Sequence, residues 1–119
     1  MKDSYRQGKT TVAPDVLITI AKLSALSVPG VSRMAQVPGG VNRLFKRGAH
    51  EGIRLQVTDN TVFASLYLVL KRDVNIREVS RNVQRQVARA LQEMVGMDIG
   101  AVKINIEDID YEETEASSA

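Results

Sequence analysis

Four arginines, Arg77, Arg81, Arg85 and Arg89, recur at every fourth position. At about 100° per helical residue that spacing gathers them into a slowly drifting column on one face of a helix. A guanidinium is a permanent cation with planar donors, so the chemistry such a column offers is recognition of carboxylates or phosphates, not bond making. A second basic group, Arg43, Lys46 and Arg47, lies in an irregular stretch and offers the same chemistry from a loop. Reacting groups are otherwise sparse. With no cysteine, thiolate metal sites and disulfides are excluded, and with His50 as the one histidine neither metal nor triad chemistry is expected. Glu51, Asp59, Asp73 and Asp98 are scattered at turns, where acidic residues serve as caps and turn formers, and their spacing brings no carboxylate pair together. Pro38-Gly39-Gly40 lacks the Lys and Ser or Thr of a phosphate-binding Walker loop and reads as a turn. The expectation is a protein that is not an enzyme, with no catalytic, cofactor-binding or metal-binding residues.

The arginine column needs a rigid carrier, and the residues around it supply one. Asn75 is placed to accept a hydrogen bond at a helix start, Glu78 follows as in a capping box, and Val74 and Val79 are spaced as a hydrophobic staple. Gly96 offers the left-handed residue that ends a helix. Between these marks Ile76, Val79, Val83, Val87, Ala90, Leu91 and Met94 form an apolar stripe opposite the arginines, which must be buried.

Other elements follow from their own periods. Lys9 to Ala13 reads as a short edge strand, and Pro14 with Asp15 opens a helix running to about Ser27. Its inner side is expected at Val16, Ile20, Leu23 and Ser27, flanked by Leu17 and Ser24; Val28-Pro29-Gly30-Val31 stops it, and a strand covers Val31 to Gln36. Residues 37 to 52 are irregular, with Leu44 and Phe45 turned to the core and Arg43, Lys46 and Arg47 to solvent. From Ile53 the period becomes two: Ile53, Leu55 and Val57 alternate with polar residues, Asp59-Asn60 makes a tight turn, and Thr61 to Leu70 returns as the partner strand. That return strand is apolar on both sides, with Val62, Ala64, Leu66, Leu68 and Leu70 on one and Phe63, Tyr67 and Val69 on the other. The second set marks either self-association or covering by residues 37 to 52. Asp98 to Ile109 closes the domain with Val102, Ile104 and Ile106 inward, and a strand, helix and strand in one sheet predicts a parallel crossover.

The fold class is therefore α+β, in the order β-α-β-β-β-α-β, with a mixed sheet of about four to five strands and both helices on one face. The 119 residues suit one domain over residues 9–110, preceded by a flexible lead-in at residues 1–8 and followed by an acidic, disordered tail at residues 111–119. No apolar run approaches the roughly 20 residues that span a bilayer, and the polar start lacks the apolar stretch of a signal peptide, so a soluble, cytoplasmic protein is expected. The net charge of +2 hides an asymmetry: all 16 basic residues precede residue 107, whereas six of the 14 acidic ones follow Ile106. A basic body of that kind favours acidic partners, and the tail is either a solvated end or a segment folding back on that body.

In its order of motifs the chain resembles the alkaline shock protein family of envelope stress response proteins in Gram-positive-type bacteria. Resemblance runs from Gly8 to Ile109: the opening strand and helix, Val28-Pro-Gly-Val31, the strand Gly52-Ile-Arg-Leu-Gln-Val57, its apolar partner strand, Asn82-Val-Gln84 with Val87, and Glu93-Met-Val-Gly96 leading into Val102-Lys-Ile-Asn-Ile106. Lys71-Arg-Asp73 and Val95 depart from the residues common in that family, and residues 37–50 match none of its motifs. The resemblance implies a non-enzymatic, cytoplasmic, self-associating scaffold, peripheral to the inner face of the cell membrane through a membrane-anchored protein partner. Residues and resemblance together nominate Arg77, Arg81, Arg85, Arg89, Arg43, Lys46 and Arg47 for an acidic partner, and Phe63, Tyr67 and Val69 for a homo-oligomer contact. An anionic membrane surface is a second partner for the cations. The alternative function is nucleic-acid binding through the arginine face with help from Gln84, against which stand few aromatics for stacking and no GXXG or RNP-type signature.

Overall fold

The computed structural model describes residues 12–36 and 52–111. They form helix α1 (Pro14–Leu26), strands β1 (Val31–Met34), β2 (Ile53–Thr58) and β3 (Thr61–Lys71), helix α2 (Ile76–Val95) and strand β4 (Asp98–Asp110). Most of the opening strand expected over Lys9 to Ala13 lies outside the described residues; Val12 is in no strand and Ala13 is the N-cap of α1.

β3 organises the sheet. β2 joins it antiparallel through Asp59 and Asn60, whose φ values of 50° and 64° give the left-handed pair of a tight hairpin turn. β1 is also antiparallel to β3 and occupies the same edge beyond β2, facing Leu68 to Leu70, whereas β2 faces Thr61 to Leu66. Tyr67 stands at the junction: its carbonyl accepts from the Ala35 amide and its amide donates to the Gly52 carbonyl. At φ 79° and pressed on the Ala35 carbonyl, Gly52 occupies a place no side chain fits. β4 runs parallel to β3 on the other edge, with β-bulges at Gly100 and Glu107, so the sheet is mixed.

Both helices cover one face. Val62, Ala64, Leu66, Leu68 and Leu70 of β3 meet Leu17, Ile18, Ala21 and Ala25 of α1 and Val79, Val83, Val87 and Leu91 of α2 in one cluster. α2 keeps its expected limits: Asn75 Oδ1 accepts from the Glu78 amide at 3.0 Å, and Gly96, at φ 68°, donates back to Gln92. Its apolar stripe is narrower than expected, because the buried row runs from Val79 to Leu91 and leaves Ile76 and Met94 exposed in the terminal turns.

α1 corrects the sequence expectation. Of the expected stripe, Val16 and Leu23 face outward, 46% and 60% exposed, and Ser27 is exposed, whereas Ile20 is partly buried against the core. Leu17, Ile18, Ala21 and Ala25 turn inward instead. The physical reason is close packing: small Ala21 and Ala25, both fully buried, let α1 approach its neighbours closely, and Leu23 is left outside that contact.

Candidate interaction surface

α2 presents the arginine column. Burial of Val79, Val83, Val87 and Leu91 fixes the rotation of the helix, and Arg77, Arg81, Arg85 and Arg89 are all exposed on its other side. Two are held by neighbours: Arg85 Nη1 donates to Asn82 Oδ1 at 3.1 Å, and Arg89 Nε pairs with Glu93 Oε2 at 3.4 Å. Arg77 and Arg81 have no ion-pair partner among the described residues, so the N-terminal half of the column is the more available half. Gln84 is engaged elsewhere, donating from Nε2 to the Val102 carbonyl of β4 at 3.0 Å. Arg43, Lys46 and Arg47 lie outside the described residues.

The sheet face away from the helices carries the three residues nominated for self-association, in three different states. Phe63 is 41% exposed and its ring lies over Gly100, whereas Tyr67 is half-buried where β1 gives way to β2. Val69 is only 2% exposed. Near it Asp110 of β4 reaches across β3 to β1: Ser32 Oγ donates to Asp110 Oδ2 at 2.7 Å, and Arg33 Nε lies 3.9 Å from the same oxygen. In the sequence Asp110 is simply one of the six acidic residues that follow Ile106. Nothing local to either residue signals a bond that spans 78 positions.

Among the described residues there is no group of three or more His, Cys, Asp or Glu placed to hold a metal ion. Asp59 and Asp73 sit at turn positions with positive φ, and Asp73 pairs with the adjacent Arg72 at 3.2 Å. No helix among these residues is long and apolar enough to cross a membrane. What the described surface offers chemically is binding: a row of cations on one helix, and an aromatic residue on the side of the sheet away from the helices.

Comparison with solved structures finds a similar fold in two variants of the MamM CTD, each with a TM-score of 0.51, 11% sequence identity, and coverage of 81% of this chain and 98% of the other. At that identity the likeness concerns the fold alone. Sequence relatives are nearer. The uncharacterized protein YqhY of Bacillus subtilis is 29% identical over 107 residues, covering 88% of this chain and 79% of its own. The uncharacterized protein Spy1535 of Streptococcus pyogenes serotype M6 is 31% identical over 110 residues, covering 90% of this chain and 83% of its own. The profile of the alkaline shock protein 23 family, described as having a cell envelope-related function, matches residues 2–111. Across all six elements of the fold, then, this chain belongs to the alkaline shock protein family.

Proposed function

We propose that this protein is a non-enzymatic, self-associating scaffold of the envelope stress response, cytoplasmic, and docked on a membrane-anchored protein partner at the inner face of the cell membrane. The main support is the exposure of all four column arginines on a helix whose opposite side is locked into the core. Arg77 adds to it. In the first turn of α2 the helix dipole disfavours a cation, so this residue does not serve helix stability, and an acidic partner group placed there would gain from both the guanidinium and the helix end. Electrostatic attraction to anionic lipid, at about 1 kcal/mol per basic residue near the surface, would assist without anchoring. Phe63 and Tyr67 are the aromatic candidates for contact between copies.

The test is crosslinking in native cells followed by fractionation, with Arg77→Glu/Arg81→Glu as the variant. Wild type should be captured with a membrane-embedded protein and the variant should be released into the soluble fraction. Equal capture of both would exclude the column as the docking face. Recovery of nucleic acid, with affinity falling linearly in log salt, would support the alternative function instead.

A further inference from the structure

Among the described residues β4 is the longest strand, with 13 residues, and it pairs with β3 alone. A long strand with an edge that no described residue pairs presents amides and carbonyls that invite another strand. One of its carbonyls, that of Val102, is occupied by Gln84. The apolar layer also stops short here. Val62, Ala64, Leu66, Leu68 and Leu70 of β3 are at most 3% exposed, yet their partners in register on β4, Ile99, Val102, Ile104, Ile106 and Ile109, are all only partly buried. On the other face of β4, Lys103 and Glu107 are exposed, and neither has an ion-pair partner among the described residues.

We propose that β4 is a homodimerisation edge, pairing antiparallel with β4 of a second copy about a two-fold axis through Asn105. Residues equally distant from Asn105 then face each other, so Lys103 of each copy meets Glu107 of the other, and Ile104 meets Ile106. Opposed residues in an antiparallel pair share a face, so the ion pairs form on the side away from the helices and the isoleucines continue the apolar layer under the helices. Charge complementarity selects this register. Centring on Lys103 or Glu107 sets like charges together, and centring on Ile104 or Ile106 leaves both Lys103 and Glu107 without a counter-charge. The contact is isologous and self-limiting, and it sets both α2 helices, with their arginine columns, on the same side of a joined sheet. It rests on the reading that the protein self-associates, and goes beyond it by giving that association a strand, a register and a symmetry.

These 119 residues include no cysteine, so Asn105→Cys introduces a single thiol on the proposed axis. Directly opposed residues in an antiparallel pair have Cα atoms about 4.5–5.5 Å apart, within disulfide reach. Under mild oxidation this variant should give a covalent dimer, and Thr58→Cys, at the far end of β2, should not. Light scattering across a concentration series should show a wild-type dimer weakened about tenfold by Lys103→Glu or by Glu107→Lys, with the double swap restoring it, since each single change turns two attractive cross-strand pairs repulsive. Circular dichroism confirms that each variant is folded. A wild-type dimer indifferent to both single changes, with no crosslink at Asn105→Cys, would overturn the β4 edge and leave self-association standing. A strictly monomeric wild type at high concentration would overturn both.

Discussion

The Phe63 ring packs on Gly100 of the neighbouring strand so closely that a Cβ on that glycine would stand 2.6 Å from Cζ. Glycine at the β4 bulge is therefore a matter of space. Gly100→Ala should push the ring outward and cost about 1 kcal/mol, with Phe63 being exposed enough to yield. In a Phe63→Ala background the same substitution should cost little. A double-mutant cycle by urea denaturation measures the coupling, and additive losses would mean that the ring does not rest there.

The rotation of α1 makes two leucines unequal. Leu17 is 2% exposed and Leu23 60%. Leu17→Ala should lose about 2–5 kcal/mol of stability, whereas Leu23→Ala should stay within about 0.5 kcal/mol. The order would reverse if the outward stripe were the core side. Chemical denaturation of the two variants at one low protein concentration decides it.

Burial of Val83 is complete, so Val83→Asp should abolish the folded state by placing an unpaired charge in the core. Loss of the cooperative thermal transition is the readout. A folded Val83→Asp protein would mean that α2 packs through another face.

The ends of α2 should respond by different mechanisms. Asn75→Ala removes the acceptor for the Glu78 amide and should cost about 1 kcal/mol. Gly96→Ala meets no atom within 4 Å of the new Cβ, so its cost, roughly 1–2 kcal/mol, is that of holding alanine at φ 68°. Gly96→Asn should recover part of the second loss, because asparagine tolerates the left-handed region. Thermal melts of the three variants test this.

Reversing the arginine column should leave the fold intact and remove binding. Arg77 and Arg81 are exposed, so Arg77→Glu/Arg81→Glu should change stability by less than about 0.5 kcal/mol. Sedimentation with vesicles of anionic lipid, run across salt concentrations, should show weak wild-type binding that fades as screening increases and is absent in the variant. Binding that persists at high salt would point to apolar insertion.

Sequence patterns alone determined whatever is encoded within a few neighbouring positions. The limits of α2 were legible in Asn75, Glu78 and Gly96, the hairpin in Asp59-Asn60, and the solvent face of α2 in arginines at a helical repeat, because caps, left-handed turns and amphipathic periods are local physics. Much of α1 was not. A helix apolar on most sides has no unique inner stripe, and its rotation was decided by Ala21 and Ala25, which let the helix approach its neighbours closely. Tertiary structure likewise decided the cross-sheet bonds to Asp110, the burial of Val69 and the part-exposed apolar row along β4. Each of these depends on which strands become neighbours, and that is settled by long-range packing and ladder pairing, which no short window of residues records.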